Sequence, residues 1–175
     1  MTMKNKFEVR KSNIEGSGVF ATSDYENGAV ICEFKGERLT VENLKEKYKS
    51  GEERIDDPFQ VGADVYLDLC EPYVYFNHSC DPNAGMKGSG TLFAIRPIKK
   101  GEEITFDYSS TEDTDDKVWG INWTEKWRIP CKCGAGNCRK EIRVFSLLPE
   151  EIRDRYYNKG ALMDFIICRY ELRAK

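Results

Sequence analysis

The sequence predicts a mainly β domain, α+β in class, with helices confined to its edges. Short apolar runs recur between glycine-bearing turns, which reads as many short strands. Helical periodicity appears in only three places: near 40–49, near 119–127 and after 149. A chain of 175 residues is one domain with small appendages, and it can bury most of its apolar surface unaided.

Phe7–Lys11, FEVRK, alternates and predicts a first strand. Asn13–Thr22, NIEGSGVFAT, sets Gly16 and Gly18 around Ser17, so backbone can approach a ligand or turn tightly. Ala29–Phe34 predicts a buried strand, turned by Lys35 and Gly36. Thr40 is a candidate N-cap for a helix with Val41, Leu44 and Tyr48 on one face. A polar loop follows over Ser50–Pro58, then strands at Phe59–Val61 and Val65–Leu69.

Gly85–Gly90 predicts a turn, Thr91–Ile95 a strand and Glu103–Tyr108 another. Ser109–Lys117 is polar and acidic and predicts a solvated loop. Its acids, Glu112–Asp116, could attract a basic peptide. Trp119, Trp123 and Trp127 recur at four-residue spacing, which stacks them on one helix face as packing residues. Pro149, Glu150 and Glu151 begin a helix that Asn158–Gly160 ends. A last helix, Ala161–Arg173, sets Leu162, Phe165, Ile166 and Tyr170 on one face.

Composition narrows the function. A net charge of −3 argues against a general nucleic-acid binder and suits a basic partner. No apolar run approaches a membrane span. The opening MTMKNKFEVRK has neither the apolar core nor the cleavage site of a signal peptide. Seven cysteines, an odd number, do not read as a secreted disulfide framework. An intracellular protein is expected.

The chemistry centres on Tyr73–Asn83, YVYFNHSCDPN, which contains His78, the only histidine, and Cys80. Cys131, Cys133 and Cys138 form C-x-C-x4-C, three thiolates able to wrap one zinc ion. Cys32, Cys70 and Cys168 lie in apolar runs and read as small buried hydrophobes. Cys80 lies in a turn and is the expected fourth ligand. Four sulfur ligands leave no open position for water, so the metal is structural.

NHSCDPN, GEEITFDY and C-x-C-x4-C, in this order, resemble a SET-domain protein lysine methyltransferase with a post-SET zinc motif. RPIKKGEE from Arg96 and NIEGSGVFA from Asn13 add to the resemblance, which runs from about residue 7 to 145. It implies short curved sheets with a C-terminal pseudoknot, a post-SET zinc loop and C-terminal helices. The implied layout is a SET domain over 5–110, an acidic, Trp-rich connection over 111–128, the zinc motif over 129–145 and a helical extension over 146–175.

The implied activity is methyl transfer from S-adenosylmethionine to a lysine side chain in a protein substrate with a basic segment, histone or not. Nucleic acid and membrane are not direct partners. The implied compartment is the nucleus in a eukaryote and the cytoplasm in a bacterium. Gly16, Ser17 and Gly18 would contact the cofactor through backbone, and Asn77 and His78 would hold it at the knot. Tyr108 would be the catalytic tyrosine, and Phe34, Phe106 and Tyr108 would line the lysine channel.

The residue types suit the reaction. In-line methyl transfer needs alignment and a dry channel more than electrophile activation. A phenol with an ordinary pKa of about 10 orients an amine better than it deprotonates one. Two positions depart from the family pattern. Phe34 stands where a tyrosine is usual, and Val74 where an arginine is usual. Phe106 implies room for di- or trimethylation. A second reading is a catalytically idle, zinc-stapled interaction module, which cofactor binding would distinguish.

Overall fold

A computed structural model describes residues 6–52, 57–114, 116–120 and 122–173. Part of the expected 50–58 loop, position 115 of the acidic segment and the extreme termini lie outside them.

Four small antiparallel sheets carry the fold. β1 (Phe7–Lys11) pairs with β2 (Ser17–Ala21). β3 (Val30–Glu33) is followed by β4 (Gly36–Thr40), where a turn was expected. A Cβ on Gly36 would lie 2.0 Å from the Asp68 carbonyl oxygen, so this glycine serves a close strand pairing. α1 (Val41–Ser50) starts at Thr40 as predicted. The Asn43 N–H donates to Thr40 Oγ1 and the Thr40 N–H to Asn43 Oδ1, a reciprocal cap. Its apolar face buries Val41 and Leu44.

β5 (Phe59–Gln60) and β4 flank β6 (Val65–Leu69). β7 (Ala84–Lys87) occupies the start of the expected glycine turn, so the turn itself is shorter. β8 (Thr91–Ala94) then pairs with both β7 and β3.

The segment 103–108 is not a ladder strand as expected. It makes single bridges, Glu103 to Phe20 and, in parallel, Phe106 to His78. The reason is its course between two neighbours. The Ile104 N–H donates to the Val19 carbonyl, the Phe106 N–H to Asn77, and the Ser79 N–H to Phe106. This crossing is the centre of the molecule.

Ser109–Thr114 is buried throughout, which corrects the expected solvated loop. Glu112 is 3% exposed and Asp113 2% exposed, so neither is available to a basic peptide. The tryptophan stripe is packing, as predicted, though not on one helix. α2 (Asp116–Trp119) and α3 (Trp123–Lys126) are separated at Gly120. All three indoles still converge, and the rings of Trp119 and Trp123 stack 3.8 Å apart.

β9 (Ile129–Pro130) and β10 (Glu141–Ile142) pair across the cysteine loop. α4 (Glu150–Asn158) follows Pro149, and α5 (Asp164–Arg173) begins after a buried linker, Ala161–Met163. Tyr156, Leu162 and Ile166 insert into the main core with Val19, Met86, Leu92 and Ile104. A second, smaller core gathers the tryptophans with Leu39, Leu44, Tyr66 and Val144.

Candidate active site and metal centre

A cleft of about 360 Å³ opens between residues 14–17, 73–78, 106–108 and 127–133. That volume lies within the usual range for small-molecule sites, about 300–1,000 Å³. Gly16 and Ser17 line it, as do Asn77, His78, Phe106 and Tyr108. Gly16 has φ +46° and open space where a Cβ would point. Gly18 lies one step deeper. A Cβ there would come within 2.2 Å of Glu103 Oε1, so this glycine admits a carboxylate.

That carboxylate ties the glycine turn to the central stretch. Ser12 Oγ donates to both Glu103 oxygens, at 2.8 and 2.9 Å. Asn77 Nδ2 donates to Glu103 Oε1 at 2.7 Å and to the Ser17 carbonyl at 3.0 Å. Asn77 therefore builds the turn that faces the cleft. Glu103 lies within GEEITFDY, yet the sequence assigned it no role, because a charged residue before an apolar run reads as a solvated one.

His78 is 5% exposed. The Tyr108 N–H donates to His78 Nδ1 at 3.2 Å. Burial pushes the imidazole down to about 4, against the pull of Asp107. The neutral ring must then carry its proton on Nε2. Nε2 lies 3.3 Å from Cys80 Sγ, so that proton points at the sulfur.

Tyr108 opens a 3-10 turn, Tyr108–Thr111, capped by Asp107 through the Ser109 N–H. Its hydroxyl donates to the Phe76 carbonyl at 2.8 Å. The Phe106 and Tyr108 rings lie 5.0 Å apart. Phe34 forms a second layer, 5.7 Å from Phe106 and 5.2 Å from Phe76. Phe59 and Phe76 reach the cleft wall in front of it. Sequence reading missed Phe59, whose strand is only two residues long and carries no periodicity.

Cys80, Cys131, Cys133 and Cys138 converge. Cys80 Sγ lies 3.7 Å from Cys131 Sγ, and Cys138 Sγ 3.6 Å from Cys131 Sγ. Tetrahedral zinc with Zn–S bonds of about 2.3 Å sets its sulfurs about 3.8 Å apart. Backbone amides face the sulfurs as well: Cys80 N to Cys133 at 3.5 Å, Arg139 N to Cys80 at 3.4 Å and Lys140 N to Cys138 at 3.4 Å. The donor atoms of His78, Cys80, Cys131 and Cys133 also lie within 4.8 Å of one another. A ligating Nε2 would require the proton on Nδ1, where the Tyr108 N–H already donates. The chemistry of the set therefore fits a four-sulfur site, with His78 donating to a ligand sulfur rather than binding metal.

Asp107 and Arg139, which sequence reading also passed over, lie between these two sites. Arg139 Nη2 donates to Asp107 Oδ1 at 2.8 Å, and Asp107 is fully buried.

The crossing of 103–108 with 77–79 sits beside the cleft, and Cys131 and Cys133 of the sulfur cluster line the same cleft, an arrangement that fits a SET-domain protein. The chain belongs to that family: the SET domain profile matches residues 16–109. It is 32% identical over 156 residues to the histone-lysine N-methyltransferase trithorax of Drosophila virilis, covering 81% of this chain and 4% of that protein. It is 30% identical over 157 residues to the histone-lysine N-methyltransferase Su(var)3-9 of Drosophila pseudoobscura pseudoobscura, covering 76% and 24%. Among solved structures it resembles a chain of ctPRC2 in an autoinhibited conformation bound to S-adenosylmethionine. There the TM-score is 0.53 and the identity 25%, over 61% of this chain and 15% of that one. The chain thus spans a small part of the relatives it matches.

Proposed function

We propose that this protein is a lysine methyltransferase that uses S-adenosylmethionine and is stapled by a structural zinc ion. The observation that carries the reading is Tyr108. Its hydroxyl hydrogen is committed to the Phe76 carbonyl, so the phenol oxygen offers lone pairs to an incoming amine at the wall of the cleft.

S-adenosylmethionine, when bound, supplies a methyl group on a sulfonium centre. The chain's own residues do the rest. Gly16 and Ser17 present backbone, held in place by Asn77 and Glu103. Phe59, Phe76 and Phe106 exclude water from the approaching side chain, and desolvation lowers the pKa of a lysine from about 10.4 toward its neutral, nucleophilic form. Tyr108 orients that amine; alignment of this kind can supply most of the rate of an in-line displacement. Cys80, Cys131, Cys133 and Cys138 would hold zinc, which fixes residues 131–138 beside the cleft.

The substrate is a basic protein segment, with histone tails the first class to test because several relatives are histone-lysine N-methyltransferases. In a eukaryote such a substrate fits a nuclear protein. With Phe106 beside Tyr108, the expected products are di- and trimethyl-lysine, and Phe106→Tyr should move them toward monomethyl-lysine.

The test is intact-mass measurement of core histones after incubation with S-adenosylmethionine, with Tyr108→Phe in parallel. Stepwise methyl additions that fall at least about a hundredfold in rate in the variant are expected. Binding of S-adenosylmethionine without transfer to histones or to proteins of a cell lysate would sink the enzyme reading.

A further inference from the structure

The first helix of the C-terminal extension, α4, sends one polar group into the centre of the molecule. Tyr156 is 1% exposed, and its hydroxyl donates to Asp107 Oδ2 at 2.8 Å. The other oxygen of that carboxylate is crowded. Asp107 Oδ1 accepts from the Ser109 N–H at 3.0 Å and from Arg139 Nη2 at 2.8 Å, and lies 3.4 Å from His78 Nδ1. Each of these partners leads to a different part of the site. Ser109 is in the turn that Tyr108 opens. The backbone N–H of Arg139 donates to Cys80 Sγ.

Arg139 has little else to hold it. Its Nε and Nη1 are buried without a hydrogen-bond partner among the described residues. Its Nη2 reaches only Asp107 and, at 3.2 Å, Ser109 Oγ. The direction of the Asp107 carboxylate therefore sets both the Tyr108 turn and the Arg139 end of the cysteine loop. On Oδ2 that direction is fixed by Tyr156.

We infer that Tyr156 is a positioning residue for methyl transfer: through Asp107 it orients Tyr108 and the cysteine loop. The helical extension then contributes to the rate of the reaction as well as to the core. This rests on the methyltransferase reading for its kinetic half and on geometry alone for the rest.

The test is Tyr156→Phe, which removes the hydroxyl and keeps the ring. Ile166→Val is the control for stability, since it trims the same core with a side chain that can make no hydrogen bond. Tyr156→Phe should lower kcat at least fivefold while KM for S-adenosylmethionine stays within about twofold, as loss of alignment does. Ile166→Val should leave kcat unchanged. Amide hydrogen exchange of residues 131–140 should quicken at least threefold in Tyr156→Phe alone. Wild-type kcat in Tyr156→Phe, or equal losses in both variants, would overturn the inference. Should the wild-type protein transfer no methyl group at all, the function reading fails by itself. The exchange rates then decide the Tyr156 link: quickening in Tyr156→Phe alone supports it, and equal rates in the two variants refute it.

Discussion

The two cores of this molecule are built on different physical terms. The main core is apolar, filled by Val19, Met86, Leu92, Ile104 and Ile166 with the aromatic wall of the cleft. Its stability rests on burial and close packing. The second core is small, has three indoles, and closes around a buried carboxyl group. Glu112 accepts from Trp123 Nε1 at 3.0 Å, from Thr114 Oγ1 at 2.7 Å and from Tyr66 at 3.1 Å. Cys131 packs against its edge, so the sulfur cluster continues it. A region too small to persist on apolar area alone is held by directed bonds, and directed bonds can be switched off one at a time.

Metal removal should separate the two cores most sharply. Structural zinc in small modules is worth about 10 kcal/mol or more. All three tryptophans lie in the second core, so indole fluorescence reports on it alone. Chelation of the proposed zinc should shift that emission to the red and abolish the proposed methyl transfer, while the far-UV strand signal of the main sheets stays. An unchanged emission after verified zinc loss would show that the second core stands without the cluster.

Trp123→Ala should come next, at about 3–5 kcal/mol in denaturant unfolding. It removes a buried ring and leaves Glu112 short of a donor. A loss under 1 kcal/mol would mean that the indole stack carries little.

Burial pushes Glu112 up to about 7. A carboxyl raised in the folded state stabilises it fully below the unfolded pKa and loses that contribution as pH rises toward the folded one. Stability should therefore fall between about pH 4.5 and 7, by on the order of 3 kcal/mol for this group. His78, pushed down to about 4, acts in the opposite direction between about pH 4 and 6.5. The difference between wild type and Glu112→Gln isolates the glutamate. Parallel stability curves for the two proteins would refute its protonation.

The smallest effect belongs to the helix bridging sheet and second core. Thr40→Ala should cost about 1 kcal/mol through loss of the cap, measured as a shift in the urea midpoint. No shift would mean that Leu44 packing alone fixes α1.

Much of this was legible in the sequence. The strands at Phe7–Lys11 and Val65–Leu69, the Thr40 cap and the Pro149 helix start follow local rules, and the structure has all four. The four cysteines announced their cluster by spacing and turn context. What escaped was polar and buried. Glu112 and Asp113 look solvated in SSTEDTDDK, because charge in sequence says nothing of the partners that wait elsewhere. Glu103, Asp107 and Arg139 were unreadable for the same reason. Each acts through partners far along the chain, as Asp107 does through Tyr156. The 103–108 segment looks like a strand because its alternation is real; its neighbours are β2 on one side and the stretch 77–79, which is in no sheet, on the other.

The Cys80 sulfur waits for partners that lie far downstream, the first of them 51 residues on. On the ribosome, the glycine turn and the NHSC stretch therefore emerge with Cys80 still lacking its three sulfur partners. No four-sulfur site exists until Cys138 has left the exit tunnel. Through that interval the nascent chain depends on a reducing surrounding to keep Cys80 unreacted. The order of synthesis thus separates Cys80 in time from the sulfurs that it meets in the finished fold.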